Sequence, residues 1–262
     1  MADAFAGARE QGRAALMPYL MGGFPDTEGA VAVARAYADA GADLIELGIP
    51  FSDPLADGPV IHAAATRALK GGATLDSALE AGAAVAGTVP VVAMVYANMV
   101  LACGPGEFAA KLADAGAAGA IVPDLPLEEA DQIRAALNAR GLGLVPLVAP
   151  TTPPERRLAI SRSAQGFVYL VSTLGVTGER DQLPAELTEL IEAVRADSEA
   201  PVAVGFGIGT ADQAAAVGQF ADGIIIGSRL VRIASEQTDI SRATEALSDF
   251  LAEVRGALAG TS

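Results

Sequence analysis

Three carboxylates lie close together in the segment ELGIPFSDPLADGP, which spans residues 46–59. Glu46 stands within an apolar run, and Asp53 and Asp57 follow it in a stretch rich in glycine and proline. A carboxylate at a core position costs stability unless it is paired or neutralised. The pattern therefore indicates a purpose for Glu46 other than packing.

Glu46 would suit general acid–base chemistry if it pointed into a protein interior. Strand alternation along DLIELGI puts Ile45 and Leu47 on one side and Glu46 on the other. A poorly solvated carboxylate has a pKa raised towards neutrality, which favours proton transfer. The alternative is a buried structural glutamate paired with an arginine, for which Arg180 and Arg229 lie a short way beyond two other predicted strands.

The other candidate residues have structural alternatives of equal weight. Asp53 precedes Pro54 and Asp57 precedes Gly58, and both dipeptides are common in turns. Tyr169 lies in another apolar run, where it either projects towards the same site or packs in the core.

Three glycine-rich segments suggest a phosphate site. They are GVTG at residues 175–178, GFGIG at 205–209 and GS at 227–228, the last of which precedes a possible short helix. Backbone N–H groups at such loops and at helix N termini bind phosphate, and glycine permits the close approach. A single glycine-rich loop is weak evidence, because glycines also make ordinary turns. Three such loops, each following a predicted strand, together indicate a phosphate site.

Several kinds of catalysis lack the residues that they need. The chain has one cysteine, Cys103, and one histidine, His62, which cannot supply a structural zinc site, and His62 fits the start of a helix. Its two lysines, Lys70 and Lys111, fall in helical patterns away from strand ends, which argues against a Schiff base. The residues therefore favour carboxylate acid–base chemistry on a small phosphate ester. If a C–C bond is cut, the substrate must supply its own electron sink.

The composition excludes further classes of function. The chain has 262 residues, of which 52% are hydrophobic, and a formal net charge of −15. Negative charge of this size repels phosphates and argues against non-specific nucleic-acid binding. The N terminus lacks the basic-then-apolar pattern of a signal peptide, and the longest apolar run is too short to span a bilayer. We therefore expect a soluble, cytoplasmic protein that binds neither membranes nor nucleic acids.

Eight predicted strands must position these residues, and Ala-rich helical patterns separate them. The strand segments are MPYLMGG, DLIELGI, PVVAMVYA, GAIVPD, GLVPLVAP, GFVYLVST, PVAVGFG and GIIIGS. Eight βα units in one chain predict a single (β/α)8 barrel domain over residues 1–262, with the active site at the C-terminal strand ends. An open doubly wound sheet is less favoured because no G-x-G-x-x-G follows the first strand.

The segment around Glu46 closely resembles the signature of the tryptophan synthase alpha chain family. The resemblance continues in order through PYLMGGFPD, VYANMV, VPDLPLEE, YLVSTLGVTG, VGFGI and IIGSRLV. It implies a retro-aldol cleavage of indole-3-glycerol phosphate to indole and glyceraldehyde 3-phosphate. The indole ring is then the electron sink that the missing lysine and metal demanded.

The resemblance also implies roles for individual residues. Glu46 matches the catalytic acid/base, which protonates indole C3 and helps to move the glycerol hydroxyl proton. Asp57 matches the carboxylate that binds the indole N–H, and Tyr169 matches the active-site tyrosine. The phosphate-binding backbone positions correspond to Gly178, Gly207, Gly227 and Ser228. The positions lining the indole pocket correspond to Tyr19, Met94, Ile121, Leu147, Phe206 and Ile225.

The family works as an αββα heterotetramer, so the resemblance implies a β chain as partner. That chain carries pyridoxal phosphate and adds serine to the indole it receives, whereas no cofactor is expected in this chain. The loop with Asp53 and Pro54 lies at the interface in the family, and the loop LGVTGERD closes over the substrate. Thr173 departs from the arginine that many relatives have next to this loop, and Tyr19 and Met21 also differ from some relatives.

Other functions remain as alternatives. A stand-alone lyase that releases free indole would use the same barrel chemistry without the partner. An activating subunit without catalysis is disfavoured because Glu46 and Asp57 are both intact. An isomerase on another phosphate-binding barrel lacks support because its catalytic lysine or histidine would be missing.

Overall fold

The fold is a barrel of parallel strands surrounded by helices. The computed structural model describes residues 1–172, 185–205 and 207–260. The strands are β1 (Ala15–Met21), β2 (Ile45–Gly48), β3 (Val91–Met94), β4 (Gly119–Ile121), β5 (Gly143–Val145), β6 (Leu147–Val148), β7 (Val168–Val171), β8 (Val202–Gly205) and β9 (Gly223–Ile226). Each falls within one of the predicted segments or extends it by a residue or two, so the (β/α)8 prediction is confirmed.

The barrel closes through a single interrupted strand. The strand order is β5-β4-β3-β2-β1-β9-β8-β7-β6, so the two edges are β5 and β6. Only Pro146 separates them, and β5 pairs with β4 while β6 pairs with β7. Proline has no N–H and cannot continue a ladder as a donor. The predicted fifth strand is therefore present as two short strands, β5 and β6. This break is why the sheet has nine strands where the sequence predicted eight.

Helices follow the strands and cover the outside of the barrel. They are α1 (Ala2–Glu10), α2 (Thr27–Asp39), α3 (Pro59–Lys70), α4 (Leu75–Ala83), α5 (Ala97–Cys103), α6 (Pro105–Asp114), α7 (Asp131–Asn138), α8 (Pro154–Arg162), α9 (Ala185–Asp197), α10 (Ala211–Gly218), α11 (Ser228–Glu236) and α12 (Ile240–Ala259), with a 3-10 turn at Leu127–Glu129. Local sequence explains several ends: Asp26 accepts a hydrogen bond from Gly29 N at 2.7 Å and caps α2, and α8 begins at a proline. No helix in the described part of the chain has the length and apolar character needed to cross a membrane.

The core has two layers, as strand alternation requires. Ile45 and Leu47 belong to the outer layer, which packs under the helices. Leu44 belongs to the inner layer, with Met17 and Phe167. Helix α1 contributes Phe5 to this inner layer at the N-terminal ends of the strands. The C-terminal ends of the strands, on the opposite side of the barrel, are where the candidate site lies.

Candidate active site

Glu46 lies in the barrel interior near its mouth. It is 1% exposed and lies in β2 between Tyr19 of β1 and Val92 of β3. Its Oε1 atom has no hydrogen-bond partner among the described residues. Burial, and next the charge of Asp57, raise the pKa of Glu46 to about 8. The inward position of Glu46 and a pKa raised towards neutrality agree with what the sequence predicted.

The alternative of a structural ion pair finds no support in the described residues. None of their ion pairs includes Glu46. Arg229 instead places its guanidinium over the ring of Phe250, 5.5 Å from the centroid. Arg180 lies outside the described residues.

Asp57 is half-buried and faces the same site as Glu46. Its Oδ1 accepts a hydrogen bond of 2.9 Å from the hydroxyl of Tyr96. Burial raises the pKa of Asp57, whereas the Tyr96 hydrogen bond and the charge of His62 lower it. Two carboxyl groups in one site with different environments are the usual basis for separate acid and base roles. His62 itself is exposed in the first turn of α3, as predicted.

Asp53 lies apart from the pair formed by Glu46 and Asp57. It is exposed, next to half-buried Pro54, and it accepts a hydrogen bond from the neighbouring Ser52 hydroxyl. The structure therefore places Asp53 and Pro54 on the surface of the β2–α3 loop, away from the barrel interior.

Two buried tyrosines stand beside Glu46 in the barrel. Tyr169 in β7 is 3% exposed and Tyr19 in β1 is 5% exposed. Burial first, and the charge of Glu46 among other groups, raise the pKa of both phenols. Each has a glycine opposite it: a Cβ added at Gly48 would overlap the Tyr19 hydroxyl, and one at Gly205 would overlap that of Tyr169. The sequence assigned Gly205 to a phosphate loop, whereas it ends β8 and makes room for a tyrosine.

The structure places the predicted indole-pocket residues in different surroundings. Met94 and Leu147 line a cavity of about 570 Å³ that also reaches Asp57. Ile121 and Ile225 are in the inner layer but are fully buried. Tyr19 is buried beside Glu46, and Phe206 lies outside the described residues.

Two of the four predicted phosphate positions, Gly227 and Ser228, lie at the start of α11. Gly227 follows β9 directly and precedes Ser228, the first residue of that helix. The first N–H groups of a helix have no partners within it and attract anions. Gly207 follows β8 with a φ of 92°, a conformation that favours glycine. Gly178 lies outside the described residues.

The sequence analysis missed Tyr96 as a site residue. It appeared only within the predicted strand PVVAMVYA and the motif VYANMV, and its place at the C-terminal end of that predicted strand was the available signal. Tyr96 is 4% exposed, bonds Asp57, and accepts a hydrogen bond of 3.1 Å from Ala56 N. Its contacts are therefore with the loop that carries a catalytic candidate.

Comparison with known proteins decides the family. The family model described as tryptophan synthase alpha chain matches residues 5–258. The chain belongs to the tryptophan synthase alpha chain family. A tryptophan synthase alpha chain from Synechococcus sp. (strain CC9902) is 47% identical over 97% of this chain and 95% of its own length. Another from Carboxydothermus hydrogenoformans is 48% identical over 87% of this chain and 86% of its own.

Solved structures of tryptophan synthase agree with this assignment. A tryptophan synthase structure from M. tuberculosis has a TM-score of 0.88 and 38% identity, covering 98% of this chain and 97% of that one. A tryptophan synthase alpha chain from Legionella pneumophila has a TM-score of 0.87 and 33% identity, covering 98% and 95%. As a tryptophan synthase alpha chain, the protein is a lyase of tryptophan biosynthesis that cleaves indole-3-glycerol phosphate.

Proposed function

We propose that Glu46 and Asp57 carry out this retro-aldol cleavage as a pair, with Glu46 as the principal acid/base. The observation that carries the proposal is a buried Glu46 whose pKa is raised to about 8, next to a second carboxylate, and whose Oε1 has no hydrogen-bond partner among the described residues. A group with a pKa near the working pH is best suited to give and take a proton. A buried carboxyl group lowers the stability of the fold, and a catalytic role would explain why one is present here.

The proposed steps use the indole ring as the electron sink. Neutral Glu46 donates its proton to indole C3, and Asp57 accepts a hydrogen bond from the ring N–H and stabilises the positive charge of the indolenine. The Glu46 carboxylate then takes the proton of the glycerol hydroxyl on the carbon next to the ring. The bond between that carbon and C3 breaks, its electron pair returns to the ring, and indole and glyceraldehyde 3-phosphate result. The proton of Glu46 is restored, so the step needs neither a metal nor a covalent lysine.

Substrate orientation rests on the surrounding residues. We assign the phosphate to the backbone at Gly178, Gly207, Gly227 and Ser228, of which the last two begin α11. We assign the indole ring to the pocket formed by Tyr19, Met94, Ile121, Leu147, Phe206 and Ile225, with Tyr169 beside Glu46. An apolar pocket with few polar groups and a helix N terminus at its edge fits an aromatic phosphate ester.

The assembly is proposed from the family. The chain would bind a β chain as an αββα heterotetramer through the loop with Asp53 and Pro54, and pyridoxal phosphate would reside in the β chain alone. The neighbouring Leu55 is 83% exposed, so its apolar side chain is accessible to a partner at this loop. We further propose that residues 1–262 form one domain and that the enzyme works in the cytoplasm, where its pathway partner is made.

The direct test is indole release from indole-3-glycerol phosphate by the purified chain, titrated with a β chain from the same organism. We expect weak activity alone and a rise of at least about fivefold as the complex forms, within the usual range of allosteric coupling. Full activity alone, with no complex at micromolar concentrations, would instead favour the stand-alone lyase. Release of no indole under either condition would refute the proposed reaction.

A further inference from the structure

The hydroxyl of Tyr96 lies between the backbone and the side chain of the loop that carries Asp57. It accepts a hydrogen bond from Ala56 N at 3.1 Å and donates one to Asp57 Oδ1 at 2.9 Å. We propose that Tyr96 is a positioning residue for the cleavage reaction, which keeps the Asp57 carboxylate ionised and oriented towards the substrate; this rests on the proposed role of Asp57.

The direction of these hydrogen bonds follows from counting protons. A phenol hydroxyl has one proton to donate and lone pairs to accept with. A backbone N–H can only donate, so the Ala56 amide must use a lone pair of the Tyr96 oxygen. The single hydroxyl proton is therefore directed to Asp57 Oδ1. This bond is strongest when Asp57 is ionised, and it leaves Oδ2 as the acceptor for the indole N–H.

Tyr96 is well placed for this role because it is fixed to the barrel. Its ring lies 5.3 Å from that of Phe51, at the start of the same loop. It caps α5, whose first amide, Ala97 N, donates to Asp124 Oδ1 at 2.8 Å. The loop itself is less buried, with Ala56 exposed. Tyr96 thus connects the exposed part of the β2–α3 loop to the start of α5, and it does so at Asp57.

The charges around Asp57 define the expected pH effect. Its carboxylate is faced by Glu46 from β2, Tyr19 from β1, Tyr96 ahead of α5 and His62 from α3. Burial raises the pKa of Asp57, and the Tyr96 hydrogen bond is the largest influence that lowers it. The phenol of Tyr96 has its own pKa raised by burial, so it retains its proton across the neutral range. Removing the hydroxyl should therefore raise the pKa of Asp57.

The test is Tyr96→Phe, which keeps the ring and removes the hydroxyl. Loss of a hydrogen bond to a charged group predicts a fall in kcat/KM of about tenfold or more. The acid limb of the pH profile of kcat/KM should also move to higher pH, because more Asp57 is protonated at a given pH. A residue that only stabilises the fold would change the melting temperature and leave this limb in place.

Tyr37→Phe is the matched control. It also removes a buried tyrosine hydroxyl, one that donates to the backbone oxygen of Tyr19 at 3.1 Å, away from the Asp57 loop. It should lose stability to a similar extent and leave the acid limb where it is.

A double-mutant cycle with Asp57→Asn completes the experiment. If Tyr96 acts through Asp57, Tyr96→Phe should lower the residual activity of Asp57→Asn by less than about threefold. An equal loss in both backgrounds, or an unmoved acid limb in Tyr96→Phe, would overturn the positioning role while leaving the proposed function intact. If the wild-type chain with its β chain cleaves no indole-3-glycerol phosphate, both proposals fail together.

Discussion

Strand β2 has two carboxylates in opposite surroundings: half-buried Asp43 lies two residues before it, and buried Glu46 lies within it. At its N-terminal end, Asp43 receives hydrogen bonds from the Arg13 guanidinium at 2.6 and 2.8 Å and from Leu16 N at 2.7 Å. Within the strand, towards the barrel mouth, Glu46 has an Oε1 atom without a partner among the described residues. Burial raises the pKa of Glu46 to about 8.

The number of hydrogen-bond partners distinguishes a carboxylate that holds a structural charge from one that can exchange its proton. A buried carboxylate with full hydrogen bonding and an opposite charge ties two segments together and has no freedom to exchange its proton. A buried carboxylate without these partners is poised between its two protonation states. The Arg13–Asp43 ion pair therefore lies at the N-terminal end of the barrel, and buried Glu46, whose Oε1 has no partner among the described residues, lies towards the other end.

The largest effect should come from Glu46→Gln, which removes the exchangeable proton and keeps the size. We expect indole formation at saturating substrate to fall by about 100- to 10,000-fold, the usual contribution of a positioned acid/base. The melting temperature at neutral pH should not fall and should rise, because glutamine is nearly isosteric with neutral Glu46 and does not bear the cost of holding a carboxyl protonated above its unfolded pKa. Activity within about threefold of wild type would remove Glu46 from the mechanism.

Breaking the pair at the other end should affect stability alone. Arg13→Met removes both guanidinium hydrogen bonds from half-buried Asp43, and we expect the free energy of unfolding to fall by about 1.5–3 kcal/mol. Denaturant unfolding measures this loss, and kcat per folded molecule should remain near wild type. Arg9→Met, at an exposed position of α1, is the control and should change stability by less than about 0.5 kcal/mol. A loss of turnover in fully folded Arg13→Met would contradict the division between the two ends.

Gly48→Ala tests how tightly the mouth is packed around Glu46. The added Cβ would overlap the Tyr19 hydroxyl, so we expect a loss of about 1–3 kcal/mol from overpacking. Combining it with Tyr19→Leu, which removes the hydroxyl and ring, should recover part of that loss. The control is Gly58→Ala, where a Cβ would meet no atom within 4 Å. Equal melting temperatures for Gly48→Ala and Gly58→Ala would show that the mouth can relax.

The pH dependence of stability should differ between wild type and Glu46→Gln. The folded pKa of Glu46, about 8, lies above its unfolded value of 4.5. Its contribution is therefore fully present below about pH 4.5 and is lost as pH rises towards 8, because the unfolded chain releases the proton more readily. Between about pH 6 and about pH 8 wild type should lose roughly 2 kcal/mol more than the variant. Parallel stability curves would mean that Glu46 is solvated or paired.

Much of the architecture was predictable because it depends on local patterns. Apolar runs separated by helical periodicity predicted the strands, and alternation along β2 placed Glu46 inside with Ile45 and Leu47 outside. The break at Pro146 was visible in the sequence but its consequence was not, since it depends on which strands flank it. Neither were the glycines opposite Tyr19 and Tyr169 recognised for the space that they provide.

The sequence by itself determined the barrel, the inward side of β2 and the family, because periodicity and long motifs are properties of neighbouring residues. Only the tertiary structure decided which charges meet. Asp43 pairs with Arg13, 30 positions earlier in the chain, and Asp57 pairs with Tyr96, 39 positions later. Such contacts depend on the stagger of the strands and the path of the loops, which bring distant residues within 3 Å. That long-range geometry gave Asp57 a partner in Tyr96 and left Glu46 Oε1 without one among the described residues, so the two carboxylates differ.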